Sequence, residues 1–194
     1  VNEKSEVIID IDEISLKGNH NLENVLFIIG IGKILNIPNE VISQFLKTTK
    51  ALEHRLENFF LKQNTLFIND SKGTNVESTI KAIEAFKNRI VLIAGGENKK
   101  ICNEELIKKI NERVGFVYLI GETGTILAEE MNKVGYKKYK NLGTLEKVLL
   151  DIKQNIDFED SQTILFSPAT ASFDQFKNFE ERGRIFKELT NKIL

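Results

Sequence analysis

Three polar segments of this 194-residue chain carry the residue types that could do chemistry. They span residues 69–75, 95–100 and 167–183, and each follows a short apolar run. The first two contain lysines, and the third contains several hydroxyl groups. Ammonium groups, hydroxyls and the free N–H groups of helix N-termini all favour anions. If the three segments meet, they predict a site for an anionic small molecule.

The rest of the pattern predicts the elements that would position these segments. Apolar runs of strand length alternate with segments of helical periodicity, which is typical of a parallel sheet covered on both faces. We therefore predict a Rossmann-like, doubly wound, mostly parallel α/β sheet, whose ligands bind beyond the carboxyl ends of the strands. The predicted strands are residues 55–61, 66–68, 90–94, 116–120, 138–139 and 163–166, and the predicted helices are residues 75–86, 103–113, 126–134, 144–155 and a long one ending at Leu194.

The first 50 residues follow a different pattern. Residues 7–14 read as a short strand region. Asn21 is placed to cap a helix that starts at Leu22, and a second helix is expected over residues 39–47 after Pro38. This stretch reads as the tail end of something larger, because its apolar faces have few partners within it; those faces contain Leu26, Ile29, Ile42 and Phe45.

Composition excludes several classes of protein. Lys and Arg number 27 against 28 Asp and Glu, so no charge excess favours nucleic acid or an anionic membrane. No apolar run approaches the ~18 residues of a membrane span, and no signal peptide is expected. The single Cys102 forms no intrachain disulfide, which fits a cytoplasmic location. Two histidines and one cysteine at such distances build no metal-ligand cluster.

Each polar segment also has a purely structural interpretation. Residues 69–75 could be an ordinary βα turn in which Thr74 or Asn75 caps the helix. The Gly95–Gly96 pair could simply form a tight turn with positive φ. His54 could be a solvated residue at the entry of a strand. A core-facing stripe at helical spacing would account for one or two of Phe173, Phe176 and Phe179.

Nucleotide-binding fingerprints of the common kinds are absent from the sequence. No G-x-x-x-x-G-K-[ST] loop occurs, and no G-x-G-x-x-G follows a predicted strand. The segment from Gly30 to Lys33 is superficially similar to the first pattern, but its periodicity predicts helix. The chain on its own is therefore not an ordinary dinucleotide binder.

Four segments, in the same order along the chain, resemble motifs of the Mur ligase family. Residues 18–24 resemble G-x-H-N-x-x-N, and residues 54–57 resemble H-R-x-E. Residues 69–75 are similar to N-D-S-K-A-T-N, with glycine in place of alanine at Gly73. Residues 167–183 are similar to S-P-A-x-A-S-x-D-Q-F-x-x-F-x-x-R-G, which is the most specific of the four.

The resemblance implies a domain assignment and a reaction. Residues 1–50 would be the end of a central ATP-binding domain, and residues 51–194 a C-terminal, Rossmann-like, amino-acid-binding domain. The implied reaction belongs to peptidoglycan precursor synthesis and joins D-glutamate to UDP-N-acetylmuramoyl-L-alanine through an acyl phosphate formed from ATP. The family's phosphate-binding loop and Mg²⁺ ligands precede this segment, so the 194 residues alone are expected to be inactive. The full-length protein is expected to be a cytoplasmic monomer.

The resemblance also implies roles for individual residues. On the ATP side it places Asn21, Asn24, Arg55 and Asp70. Lys72 would approach the phosphates or the reacting centre and is the candidate catalytic residue. One carboxylate of D-glutamate would be held by Thr74 and Lys99, with Lys100 as an alternative to Lys99. The other carboxylate would be held near Ser172, Phe173 and Phe179.

Two other functions stay open from the sequence. A sibling amide ligase, which adds another amino acid or adds glutamate to a folate, would share the architecture. A non-enzymatic module that binds an anion or an amino acid on a Rossmann-like sheet is the alternative outside the ligases. An upstream G-K-[ST] loop in the same gene would favour a ligase over that module.

Overall fold

Two helices dominate the first of the two units into which the chain divides, Val1–Leu52 and Glu53–Leu194. The computed structural model describes residues 6–15, 19–49, 52–98 and 104–194. Within the first unit, α1 spans Asn19–Ile34 and α2 spans Asn39–Thr48, preceded by a 310 helix at Ile11–Glu13. A small apolar core joins these elements through Ile14, Val25, Ile42 and Leu46.

Two expectations for the first unit are wrong. Residues 7–14 form no strand, because the Asp10 carboxylate accepts the Asp12 N–H at 3.0 Å and caps the 310 helix instead. Helix α1 begins at Asn19, so Asn21 lies inside the helix rather than capping it. Of the apolar residues expected to lack partners in this unit, Leu26 (68%) and Phe45 (51%) are exposed, whereas Ile42 is buried and Ile29 packs against the small core.

A six-stranded sheet is the centre of the second unit. Its strands stand in the order β1-β2-β6-β3-β4-β5. Only β1 is antiparallel to its neighbour, and the other pairs are parallel. This arrangement confirms the predicted α/β sheet. The strands are β1 Glu57–Lys62, β2 Thr65–Asn69, β3 Arg89–Gly95, β4 Val114–Ile120, β5 Tyr139–Gly143 and β6 Gln162–Phe166.

Helices cover both faces of this sheet. Along β3, Leu92 points to the face covered by α3, α4 and α5, while Ile93 points to the face covered by α6 and α7. This alternation follows from the two-residue period of a strand. The helices are α3 Val76–Glu84, α4 Glu104–Arg113, α5 Thr123–Lys133, α6 Leu145–Asn155 and α7 Phe179–Ile193.

Side-chain caps fix where three of these helices begin. Asn75 accepts the Ser78 N–H at 2.8 Å and caps α3. Thr144 caps α6 in the same way, and Asn178 caps α7 by accepting the Glu181 N–H at 2.8 Å. Both α3 and α7 therefore start directly after loops of the predicted site. None of the helices in the described residues has the length and apolar character needed to span a membrane.

Candidate functional site

The three polar segments meet at one edge of the sheet. They follow β2, β3 and β6, three adjacent parallel strands, and we call them the β2 loop (70–75), the β3 loop (96–98 in the described chain) and the β6 loop (167–178). Main-chain hydrogen bonds join them directly. Ala169 N–H donates to Gly73 O at 2.9 Å, and Glu97 N–H donates to Ala171 O at 3.0 Å. The predicted convergence is confirmed.

Glycine is required where the β3 loop leaves its strand. Gly95 and Gly96 have φ of +115° and +154°. A Cβ at Gly96 would lie 2.4 Å from the Ala171 carbonyl oxygen and 2.7 Å from Thr170 Oγ1. The expected tight turn with positive φ is therefore present, and it also brings the β3 loop against the β6 loop.

A buried arginine on α7 holds the β2 and β6 loops together. Arg182 is fully buried. Its Nε donates to Ser71 Oγ at 3.0 Å and its Nη2 to Ser71 O at 2.8 Å. Its Nη1 donates to the carbonyl oxygens of Thr170, at 3.0 Å, and Ala171, at 3.1 Å. One planar guanidinium thus satisfies main-chain acceptors from two loops.

Arg182 remains protonated although it is buried. Desolvation lowers the pKa of Arg182 to about 10, while the nearby carboxylates of Asp174 and Asp70 favour its charged form. It therefore stays a cation at neutral pH. The guanidinium carbon also lies 5.9 Å from the ring centroid of Phe166, which is within the range of a cation–π contact.

Asp70 is held inside the protein by both carboxylate oxygens. Oδ1 accepts the Leu56 N–H at 3.1 Å, and Oδ2 accepts the Ser167 hydroxyl at 2.7 Å. The residue is 5% exposed. Burial raises the pKa of Asp70 to about 6, against the opposing effect of those two hydrogen bonds and of the Arg55 and Arg182 charges. Each carboxylate oxygen of Asp70 therefore already accepts one hydrogen bond from within the protein.

His54 is part of a buried network, so its interpretation as a solvated strand entry is wrong. It is 5% exposed, and its Nδ1 lies 2.9 Å from Asn69 Nδ2. Since the amide nitrogen is a donor, Nδ1 is assigned as the acceptor and Nε2 carries the proton. Asn69 also donates to Glu57 Oε2 at 3.1 Å. Gly183 must be glycine here, because a Cβ would lie 2.3 Å from His54 Nδ1.

This network fixes the main chain on which the candidate catalytic lysine sits. His54 has a left-handed φ of +64°, and its carbonyl accepts the Lys72 N–H at 3.0 Å. The Lys72 side chain is exposed, and its Nζ lies 5.9 Å from the ring centroid of Phe179. The Phe179 carbonyl oxygen accepts a hydrogen bond from the Ser71 hydroxyl at 2.8 Å. Lys72 and Phe179 are thus brought together.

The other residues of the predicted site lie in different environments. Thr74 is half-buried in the β2 loop, and Arg55 is exposed. Ser172 is 2% exposed, whereas Phe173 beside it is 63% exposed. Phe176 packs against the core under α6 and α7, which confirms the core-facing interpretation for that residue.

Some predicted residues cannot be placed beside these. Lys99 and Lys100 lie outside the described residues, as does the side chain of Asn21. Asn24 lies on α1, which belongs to the first unit. The predicted roles of all four stay predictions.

One group of potential metal ligands occurs in the described residues. Glu53, His54 and Glu57 bring ligand atoms within 4.8 Å of one another. Lys187 Nζ, however, lies 2.7 Å from a carboxylate oxygen of both Glu53 and Glu57. The ammonium group already pairs with both carboxylates, so the cluster does not indicate a Mg²⁺ site.

The sequence itself contains a signal for the role of Arg182. Arg182 lies in the first turns of α7, where the helix dipole favours acids and disfavours cations. A cation placed there needs a compensating reason, and the main-chain acceptors of the two loops supply it. Arginine also stands near the end of the long motif over residues 167–183, so the motif itself points to Arg182.

Arg182→Lys tests the joining of the loops. Lysine cannot reach acceptors in both loops at once, so buried carbonyls lose their donors, and the free energy of unfolding should fall by about 2–4 kcal/mol. Urea unfolding followed by circular dichroism measures the loss. Arg184→Lys, on the exposed side of the same helix, is the matched control and should change stability by less than about 0.5 kcal/mol. Equal effects of the two variants would contradict the role of Arg182.

Asp70→Asn tests the buried carboxyl. A carboxyl whose pKa rises from 3.8 to about 6 on folding binds its proton more tightly in the folded state. Stability is then present at low pH and is lost as pH rises through that interval. The unfolding free energy of the wild type minus that of Asp70→Asn should therefore fall by roughly 2–3 kcal/mol between pH 3.5 and 7. A difference that is constant or rises with pH would contradict this.

Comparison with known proteins gives the same architecture. A family model described as "Mur ligase, glutamate ligase domain" matches residues 54–170, more than half of the chain. The solved structure of MurF from Acinetobacter baumannii superposes with a TM-score of 0.69 at 18% identity, covering 92% of this chain and 39% of that one. At that identity the superposition shows the fold alone.

Relatives with a similar sequence extend over nearly the whole chain. The UDP-N-acetylmuramoylalanine–D-glutamate ligase of Fusobacterium nucleatum is 46% identical over 188 residues, which are 96% of this chain and 43% of that protein. The enzyme of the same name from Thermoanaerobacter sp. is 44% identical over 195 residues, covering 100% of this chain and 42% of that protein. The chain therefore spans about two fifths of the length of these relatives. With the family model matched across the sheet and two of its site loops, the chain belongs to the Mur ligase family.

Proposed function

We propose that the chain is the C-terminal part of an ATP-dependent ligase that joins D-glutamate to UDP-N-acetylmuramoyl-L-alanine in peptidoglycan precursor synthesis. The observation that carries the proposal is the similarity to ligases of that name over nearly the whole chain, at 46% identity for the Fusobacterium nucleatum enzyme. The convergence of three polar loops at one sheet edge supports it, since such edges hold ligands in open α/β sheets.

The charges of the site suit acidic ligands. Arg182 is a buried cation bonded to two of the loops, and Lys72 and Arg55 are exposed cations. Two carboxylates of D-glutamate and the phosphates of ATP would all need cations or N–H donors nearby. ATP, when bound, supplies the phosphoryl group that activates the acceptor's carboxylate. The residues of this chain hold and orient the ligands around that step.

Lys72 is the residue proposed to stabilise negative charge at the reacting centre. Its main chain is fixed by the His54 carbonyl, while its side chain is exposed beside Phe179. A lysine anchored at its N–H and free at its ammonium can follow charge that moves between phosphate and carboxylate. Such charge neutralisation is usually the largest single contribution to catalysis in reactions of this kind.

D-Glutamate is proposed to lie between the β2 loop and the β6 loop. Thr74 and Lys99 would hold one carboxylate, and Ser172, Phe173 and the main chain near Phe179 the other. Ser172 and Phe179 lie on the β6 loop and at the first residue of α7, so a ligand there would meet free N–H groups of that helix. A site with two fixed carboxylate positions would reject an analogue that lacks one of them.

The nucleotide and Mg²⁺ sites are proposed for the full-length enzyme. Asn21, Asn24, Arg55 and Asp70 would face the nucleotide, and Mg²⁺ would be held by residues outside this chain. The full-length enzyme is proposed to be a cytoplasmic monomer. The 194 residues alone are proposed to form no product, because they contain no G-x-x-x-x-G-K-[ST] loop.

The test is a ligation assay on the full-length protein with UDP-N-acetylmuramoyl-L-alanine, ATP and a panel of amino acids. Phosphate release should require D-glutamate, and Lys72→Met should lower kcat/KM by at least about 100-fold, since it removes the cation at the reacting centre. Lys81→Met is the control, because Lys81 is an exposed lysine on α3 that has no assigned role; its kcat/KM should stay within about twofold of the wild type.

Two outcomes would count against the proposal. Phosphate release that depends on another amino acid, or on a folate substrate, would assign the chain to a sibling ligase. Equal activities of Lys72→Met and Lys81→Met would remove Lys72 from the reaction even if D-glutamate is the substrate.

A further inference from the structure

The outer half of the β6 loop is anchored by two residues to which the function assigns no role. Asp174 Oδ2 accepts the Glu122 N–H at 3.2 Å, and Gln175 Nε2 donates to the Gly143 carbonyl at 2.8 Å. Glu122 follows β4, and Gly143 is the last residue of β5. The β6 loop is therefore tied to two strand ends that lie beyond the three loops of the site.

The loop after β4 also contacts the β3 loop directly. Thr123 N–H donates to the Gly96 carbonyl at 3.0 Å, and Gly96 N–H donates to Thr123 Oγ1 at 2.9 Å. Glu122 Oε2 accepts the Asn98 N–H at 3.2 Å. Glu122 thus contacts the β3 loop with its side chain and Asp174 with its main chain.

Gly121 shows how closely these parts approach. Its φ is +66°, and a Cβ there would lie 2.3 Å from Asp174 Oδ2 and 2.6 Å from Gly96 Cα. The Gly121 N–H donates to the same Gly143 carbonyl that accepts from Gln175, at 2.9 Å. Gly121 therefore connects the contact made by Asp174 with the contact made by Gln175.

A short turn links Asp174 and Gln175 to Ser172. The Ser172 carbonyl accepts the N–H groups of Gln175, at 3.2 Å, and of Phe176, at 2.9 Å. Residues 172–176 consequently form one hydrogen-bonded turn, so the anchoring of Asp174 and Gln175 also fixes the main chain of Ser172 and Phe173.

The environment of Asp174 fits a holding role rather than a reacting one. Its Oδ1 is buried and has no hydrogen-bond partner within the described part of the chain. Burial raises the pKa of Asp174, as does the neighbouring Glu122 charge. The hydrogen bond that links this carboxylate to the loop after β4 is the one from the Glu122 N–H to Oδ2, and its negative charge also favours the charged form of Arg182.

We propose that Asp174 and Gln175 are positioning residues that fix the D-glutamate side of the site by tying the 172–176 turn to the ends of β4 and β5. The inference rests on the function proposed above. It predicts that their loss weakens the use of D-glutamate without weakening the use of the other two substrates, which the turn does not contact in that proposal.

The experiment is steady-state kinetics on the full-length enzyme with each substrate varied in turn. Asp174→Ala should raise KM for D-glutamate about tenfold, the effect of losing one charge-assisted hydrogen bond. KM for ATP and for UDP-N-acetylmuramoyl-L-alanine should stay within about twofold. Asp174→Asn keeps an acceptor for the Glu122 N–H and should restore most of the loss.

Two further variants make the result decisive. Gln175→Ala removes the second anchor at an exposed position and should raise KM for D-glutamate in the same direction. Asp157→Ala is the matched control. Asp157 Oδ1 accepts the Glu159 N–H at 3.0 Å in the loop before β6, which lies at the end of that strand opposite to the site. It should leave all three KM values unchanged.

The outcomes separate the inference from the function. If the wild type ligates D-glutamate but Gln175→Ala and Asp174→Ala leave its KM unchanged, the positioning role is overturned and the proposed function stands. An equal rise in all three KM values, or the same rise in Asp157→Ala, also overturns it. If Asp174→Ala does not fold, Gln175→Ala decides. Failure of the wild type to ligate D-glutamate overturns the function and the inference together.

Discussion

The buried guanidinium of Arg182 is the interaction on which the site depends. The ends of adjacent parallel strands bring the loops near one another, but nearness alone does not fix a polar loop. Arg182 donates to Ser71, Thr170 and Ala171, and so converts two loops and the start of α7 into one body. The proposed ligand residues, Lys72 and Ser172, are each next to a residue that Arg182 holds.

The hydrogen bonds of Arg182 offset the cost of burying its charge and fix the geometry of the loops. Burying a cation is unfavourable unless its donors are satisfied, and here they are met by main-chain and hydroxyl oxygens. Asp70 and Asp174 supply nearby negative charge, yet burial raises the pKa of each. The buried charges are thus held among the loops by hydrogen bonds, and Lys72 and Arg55 are exposed cations that could meet acidic ligands.

The sequence predicted the sheet well because continuous apolar strands and helical periodicity are local signals. It failed where tertiary packing decides. Residues 7–14 look apolar enough for a strand, but Asp10 caps a turn there. His54 looks like an exposed polar residue in the sequence, but the fold buries it, where it contacts Asn69 and Gly183. The anchoring of Asp174 involves strand ends that no sequence spacing connects.

The most direct test of the central claim is an amide chemical-shift titration of this chain with D-glutamate and with L-glutamate. If the fixed β2 and β6 loops bind the substrate, D-glutamate should shift the amides of Thr74, Ser172 and Phe179 at lower concentration than L-glutamate does. Equal responses to the two enantiomers, or shifts confined to residues away from this edge of the sheet, would contradict the account.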